Sequence, residues 1–173
     1  FSDSTIGKTL KMNDLDLFIP FIGWNQEYAS EAGLRFDFEK EGYFQSTFHM
    51  HPVDGDFDAR VIVNHLYLDP FYEYAAQYMN ISSLNGMLNT DLLIEGNLNE
   101  AEKSLISGNI DLVNFEMKDD SNRNFLGVTR LKCLLKNVDS YNMNYVIDSL
   151  KLTEPYVYFE LEDSTNNFFE IFN

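Results

Sequence analysis

The sequence predicts a mainly β protein: an antiparallel, meandering and curled sheet with one short helix at about residues 70–79. Three observations predict it. Apolar residues recur at every second position in run after run along the chain. Short clusters of Gly, Asn, Asp and Ser separate the runs and supply the positive φ angles and local side-chain hydrogen bonds that turns need. Phe and Tyr dominate the aromatic content, with 15 and 10 copies, and such side chains suit a pleated surface. Strand follows strand without a helix between, so pairing is expected to be antiparallel.

The runs justify the strands in order. "KTLKMNDLDLFI" alternates through Leu10 and Met12, then through Leu15, Leu17 and Ile19. "GLRFDFE" alternates through Leu34, Phe36 and Phe38, and "YFQSTFHMH" through Phe44, Phe48 and Met50. "GDFDARVIV" places Phe57, Ala59, Val61 and Val63 on one face. "TDLLIEG" gives Leu92 and Ile94, and "GNIDLVNFEM" gives Ile110 and Leu112, then Phe115 and Met117. "FLGVTRLKCLL", "NYVIDSLKL" and "PYVYFELED" complete the set, the last reading as a segment buried on both faces. In "NDLDLFIPF" and "VNHLYLDP" the apolar phase slips beside an Asn, which predicts a bulge or bend at each place. The total is roughly nine to eleven strands.

Turns are expected at "EKEG", "PVDG", "SLNG", "GNLNEAEKSLISG", "KDDSNRN" and "DSTNN". Within residues 86–117, Gly86, Gly96 and Gly108 punctuate successive alternating runs, as marks of turns or bends between repeated rungs. The helix is read from "DPFYEYAAQYMN": Pro70 near its start, Asp69 placed to cap it, and Phe71, Tyr74, Ala75 and Tyr78 spaced for one face. "NQEYASEAG" is a weaker helical stretch, and "NEAEKS" an exposed loop or single turn.

Composition limits function. The 173 residues suffice for a single domain spanning 1–173, or for a slice of a larger repetitive one, and a hydrophobic fraction of 45% supports a folded chain. The net charge of −16, with its 12 basic residues scattered, leaves no basic stripe for nucleic acid or for an anionic membrane surface. The acidity reads as solubility. The single cysteine, Cys133, permits no internal disulfide and reads as a small buried apolar residue. No stretch reaches the roughly 18 apolar residues of a membrane span, and no leader is recognisable. The chain opens in mid-phrase at Phe1 and closes on "NNFFEIFN", so a piece of a longer protein is expected.

His49 and His51 in "HMH" would share a strand face and make half a metal site, but only His65 remains as a third imidazole. "DGDFD" alternates Asp54, Asp56 and Asp58 without the Gly and Glu positions of a calcium loop, and reads instead as a hairpin turn at Asp54–Gly55. No G-x-S-x-G, phosphate loop or dinucleotide fingerprint occurs, and no acidic residue lies in an apolar context that demands a raised pKa. "NIS" at Asn80 fits a glycosylation acceptor. The expectation is a non-catalytic protein without a metal or cofactor.

Three stretches carry a resemblance to the AsmA-like family of bacterial envelope proteins, which includes TamB and its relatives. They are "LKMNDLDLFIPFIGW" with Pro20 and Trp24, "VIVNHLYLDPFYEYAAQYMNISSLNGMLNTDLLIEGNL", and "SGNIDLVNFEM" followed by "VIDSLKLTEPYVYFELEDSTNNFFEIF". Together they cover most of the chain, and their order is more specific than any one of them. The strong acidity departs from the family pattern, as does the lack of a hydrophobic anchor. The resemblance implies a periplasmic location, an inner-membrane anchor outside these residues, and a role in envelope integrity and phospholipid movement between the two membranes. It implies no catalysis.

The residues are compatible with that role. Val61, Val63, Leu92, Ile94, Ile110 and Leu112 would present an apolar sheet face to phospholipid acyl chains. The same six could instead pack beneath the helix as an ordinary closed core, and both readings stand at this point. A second function is a scaffold for outer-membrane assembly that binds envelope protein partners through an edge strand. A third, glycan binding, has only Trp24 for a tryptophan platform.

Overall fold

The computed structural model describes residues 2–3, 8–9, 12–19, 30–161 and 165–172. Among them are ten strands: β1 (Ser2–Asp3), β2 (Lys8–Thr9), β3 (Met12–Phe18), β4 (Ser30–Phe38), β5 (Tyr43–Met50), β6 (Asp56–Tyr67), β7 (Ile81–Asn97), β8 (Leu105–Asp119), β9 (Asn124–Asp139) and β10 (Asn144–Val157). Helix α1 is Tyr72–Ala75 and α2 is Asn167–Phe172. β1 and β2 pair with each other. β3 to β10 form one sheet in sequence order, every pair antiparallel. The fold is therefore mainly β, an eight-stranded meander that does not close on itself.

The turns show why the chain reverses where it does. Gly42 at φ 89° and Gly55 at φ 75° supply left-handed backbone at the β4–β5 and β5–β6 hairpins. Gly55 N–H donates to the His51 carbonyl at 2.9 Å, placing the reversal in "PVDG". Between β8 and β9, Asn122 takes φ 62°, and Arg123 N–H donates to the Asp119 carboxylate at 2.8 Å. Between β9 and β10, Asn142 N–H donates to Asp139 Oδ1 at 3.0 Å.

The two predicted phase slips are bulges. Register shifts between Asn13 and Asp16, where Asp14 has φ 49°, and between Val63 and Leu66, where His65 has φ 55°. Each extra residue returns the apolar set to the face it would otherwise leave. The glycines need a correction of place. Gly86 and Gly108 lie inside β7 and β8, at φ 141° and 130°, each facing a strand that carries one extra residue. "SLNG" is strand, not turn. A Cβ on Gly108 would press on the Asp91 carbonyl and come within 2.9 Å of Leu92 Cα, so crowding does demand the glycine, but within the rung.

The helix is shorter than expected. A 3-10 turn at Asp69–Phe71 leads into α1, with Pro70 in the first turn. Asp69 does not cap it; its carboxylate accepts from Lys40 Nζ at 3.3 Å. The packed side is Tyr72, Ala75 and Met79, while Tyr78 is 78% exposed. Helix α2 was not anticipated. "NEAEKS" falls in a 3-10 turn, Leu98–Lys103, and Ser30–Gly33 of "NQEYASEAG" is strand. Residues 25–29, Pro20 and Trp24 lie outside the described residues.

Among the described residues the buried apolar side chains are Ile81, Met117, Phe125, Val128 and Ile171, at one end of the sheet. Ile81, Met117, Phe125 and Ile171 form a cluster, with Tyr72, Ala75, Met79, Leu84, Phe115, Leu126 and Phe168 packed around it. Two further expectations are corrected by exposure. Tyr156, Val157 and Phe159 are exposed rather than buried on both faces, because β10 is an edge strand and Phe159 follows its end. Cys133 is half-buried in the sheet between Ile110 and Leu150, not fully buried.

Candidate functional site

Antiparallel pairing puts directly opposed residues on the same face, so register alone assembles the site. One row reads Ala32, Phe48, Ala59, Ile94, Ile106, Val138 and Tyr145 from β4 to β10. The next reads Leu34, Ser46, Val61, Leu92, Gly108, Leu135 and Ile147. The third is Phe36, Phe44, Val63, Thr90, Ile110, Cys133 and Leu150. The fourth, from β6 onward, is Leu66, Leu88, Leu112, Leu131 and Leu152. No charged residue interrupts these rows.

All six residues expected to form the apolar face lie in this grid: Val61 and Leu92 directly paired, Val63 and Ile110 flanking Thr90, and Ile94 and Leu112 in the outer rows. The structure does not bring them under α1, since none of the six belongs to the cluster around Ile81 and Phe125. Each is half-buried. Among the described residues each strand from β3 to β10 makes its main contacts with its sheet neighbours.

Three rows of seven strands and one of five, at ~4.8 Å between strands and ~6.7 Å between rows, span roughly 550 Å² in plan. Its few polar groups are quiet; Thr90 Oγ1 donates to the Asn109 carbonyl at 2.7 Å. The sequence reading missed the breadth of the patch. The aromatic flank, with Phe36 stacked on Phe44 at 5.0 Å and Phe48 on Phe57 at 5.5 Å, belongs to the same side. The alternation signalled each strand, but only the bulges align them.

The opposite face carries the ion pairs, among apolar side chains that include Ile62, Leu93, Val113 and Leu134. Arg60 donates Nε and Nη2 to the two Asp91 oxygens at 2.8 and 2.6 Å, and Arg130 does the same to Asp111 at 2.9 and 2.5 Å. The hydrogen-bonded guanidinium holds each of these carboxyls below its ordinary range. His49 Nδ1 lies 2.8 Å from Asp58 Oδ2, and its Nε2 lies 3.6 Å from Glu31. The hydrogen bond to Asp58, then the charges of Asp58 and Glu31, raise the His49 pKa despite some burial. Both ring nitrogens thus face acids. His51 lies past the end of β5, 4.0 Å from Asp54, so the two histidines do not share a strand face.

Among the described residues no group of three or more His, Cys, Asp and Glu is placed to hold a metal, and no helix is long and apolar enough to cross a membrane. Asn80 Nδ2, one residue before β7, donates to the Glu170 carbonyl of α2 at 2.5 Å.

The chain matches no family model, no curated protein and no solved structure.

Proposed function

We propose that this chain is a non-catalytic, lipid-contacting module of an AsmA-like periplasmic protein, anchored to the inner membrane by a segment outside these residues. It would serve envelope integrity by carrying phospholipid acyl chains toward the outer membrane. The observation that carries the reading is the charge-free grid of side chains across seven strands, with the ion pairs confined to the opposite face. Acyl chains ask for this: continuous apolar surface and no unpaired polar group. Each methylene taken from water contributes about 0.8 kcal/mol, so ten give about 8 kcal/mol, of the same order as the cost of association. Two chains held together would bind firmly where one binds weakly.

Denaturing mass spectrometry of an organic extract of the purified protein tests it. Stoichiometric phospholipid is expected from the native chain and none from Ile94→Lys/Leu112→Lys with an unchanged circular dichroism spectrum. A native extract free of lipid overturns the reading. One observation favours the alternative, an outer-membrane assembly scaffold that binds protein partners by strand addition: β10 is exposed along its whole length.

A further inference from the structure

The two outer edges of the eight-stranded sheet are β3 and β10, and both are exposed throughout. Along its whole length β10 carries Asp148 and Glu154 beside Lys151, and β3 carries Asp14 and Asp16; the sign differs within one stretch of β10, Ser149 to Thr153, where Lys151 is the one charge. On β10, Ser149 to Thr153 run in unbroken register against Leu134 to Arg130, between a bulge on one side and left-handed Glu154 on the other. In that window Leu150 and Leu152 end two rows of the apolar face. Lys151 ends a row of the polar face that reads Asn89, Asp111, Lys132, Lys151. The row closes on two adjacent cations. On β3, Leu17 faces Leu34 on the apolar side, and Asp16 faces Arg35 on the polar side. Leu15 and Leu17 are 66% and 63% exposed, and Leu150 and Leu152 57% and 47%.

We propose that copies of this chain join edge to edge, β3 of one copy adding to β10 of the next. With the apolar faces on one side, β3 and β10 run antiparallel, because an odd number of reversals separates them. Asp16 then lies opposite Lys151, Leu17 opposite Leu150 and Leu15 opposite Leu152. The rows of the apolar face continue from copy to copy, and the row ending in two lysines gains an acid. Two-fold alternatives lack this match: β10 on β10 centred at Lys151 sets cation on cation, and β3 on β3 centred at Asp16 sets acid on acid. The contact is heterologous and open-ended. It is short, and the charge of −16 on each copy opposes it, so association is weak and rises with concentration. It uses the edges of the sheet and stands independently of the lipid reading.

Sedimentation velocity over a micromolar to millimolar series, at physiological ionic strength, tests the proposal. The weight-average mass is expected to pass that of a dimer as concentration rises. Asp16→Lys and Lys151→Glu should each weaken association about tenfold with unchanged circular dichroism. The double variant, or an equimolar mixture of the two single variants, should recover it. A monomer at every concentration overturns the proposal. So does a dimer that grows no further, or assembly indifferent to the charge swaps.

Discussion

His49 shows how one side chain reports on the polar face. It sits on β5 with Glu31 on β4 and Asp58 on β6, so three adjacent strands meet at one imidazole. The hydrogen bond to Asp58 raises its pKa above the ordinary value. The folded state therefore favours the protonated ring, and the stability this adds is fully present below about pH 6.5. It is lost as pH rises through the folded pKa. A histidine titration by NMR is expected to place the His49 midpoint above 6.5, and Asp58→Asn should bring it down. An unmoved midpoint would mean that the contact does not persist in solution. The sequence offered His49 and His51 as half a metal site because both lie in an alternating run. It could not show that the strand stops at Met50, nor that the acids come from both neighbouring strands. Partners across a sheet are set by register, which a single run does not contain.

At the scale of the element, α2 decides how one end of the sheet is finished. Ile171 is buried against Ile81, Met117 and Phe125, and the Phe168 ring meets Phe125 edge-on at 4.8 Å. Asn167 fixes the approach: its Nδ2 donates to the Tyr158 carbonyl at 2.8 Å, and its Oδ1 accepts from Glu160 N–H at 2.9 Å. Arg123 adds a polar strap, donating to Asp119 and Glu160 at 2.9 Å each. Ile171→Ala should cost about 2–4 kcal/mol, because the cavity opens where the fully buried apolar side chains are concentrated. A urea denaturation series gives the value. A loss under about 0.5 kcal/mol, ordinary for a surface site, would show that α2 does not stay docked. This element was the least legible. "NNFFEIF" is too short for a helical period to stand out, and its aromatics read equally as strand. The strands were legible because their alternation is long, and the bulges were legible because a phase slip is itself a sequence pattern. The face of α1 was misread for a related reason. In a single helical turn the spacing rule barely constrains direction, and the contacts beneath Tyr72, Ala75 and Met79 chose it.

For the whole molecule the governing fact is that one layer of sheet carries two unlike faces. An isolated layer leaves its apolar side to solvent, and most domains cover such a side with a second layer. Here α1 and α2 gather at the Ile81 and Phe125 end, the 3-10 turn Leu98–Lys103 lies at the far end of β7, and the described strands of the grid through Leu92 and Ile110 make their main contacts with their sheet neighbours. The charge of −16 counteracts aggregation of a surface like this. Such a face has a thermodynamic consequence. A ligand that binds the folded sheet and not the unfolded chain raises stability by RT ln(1 + [L]/Kd), about 2.7 kcal/mol at a hundredfold excess over Kd. A single-chain lysophospholipid, held below its micelle concentration, is expected to raise the melting temperature in proportion to the logarithm of its concentration. Ile94→Lys/Leu112→Lys places two charges in the grid, and its melting temperature should stay flat across the same series. The comparison separates lipid contact from general detergent effects, because detergent acting on the unfolded chain would lower both melting temperatures together. An equal rise in both proteins would place the lipid elsewhere on the molecule. No rise in the native chain would leave the apolar face to a protein partner, with the exposed β10 edge as the place to seek it.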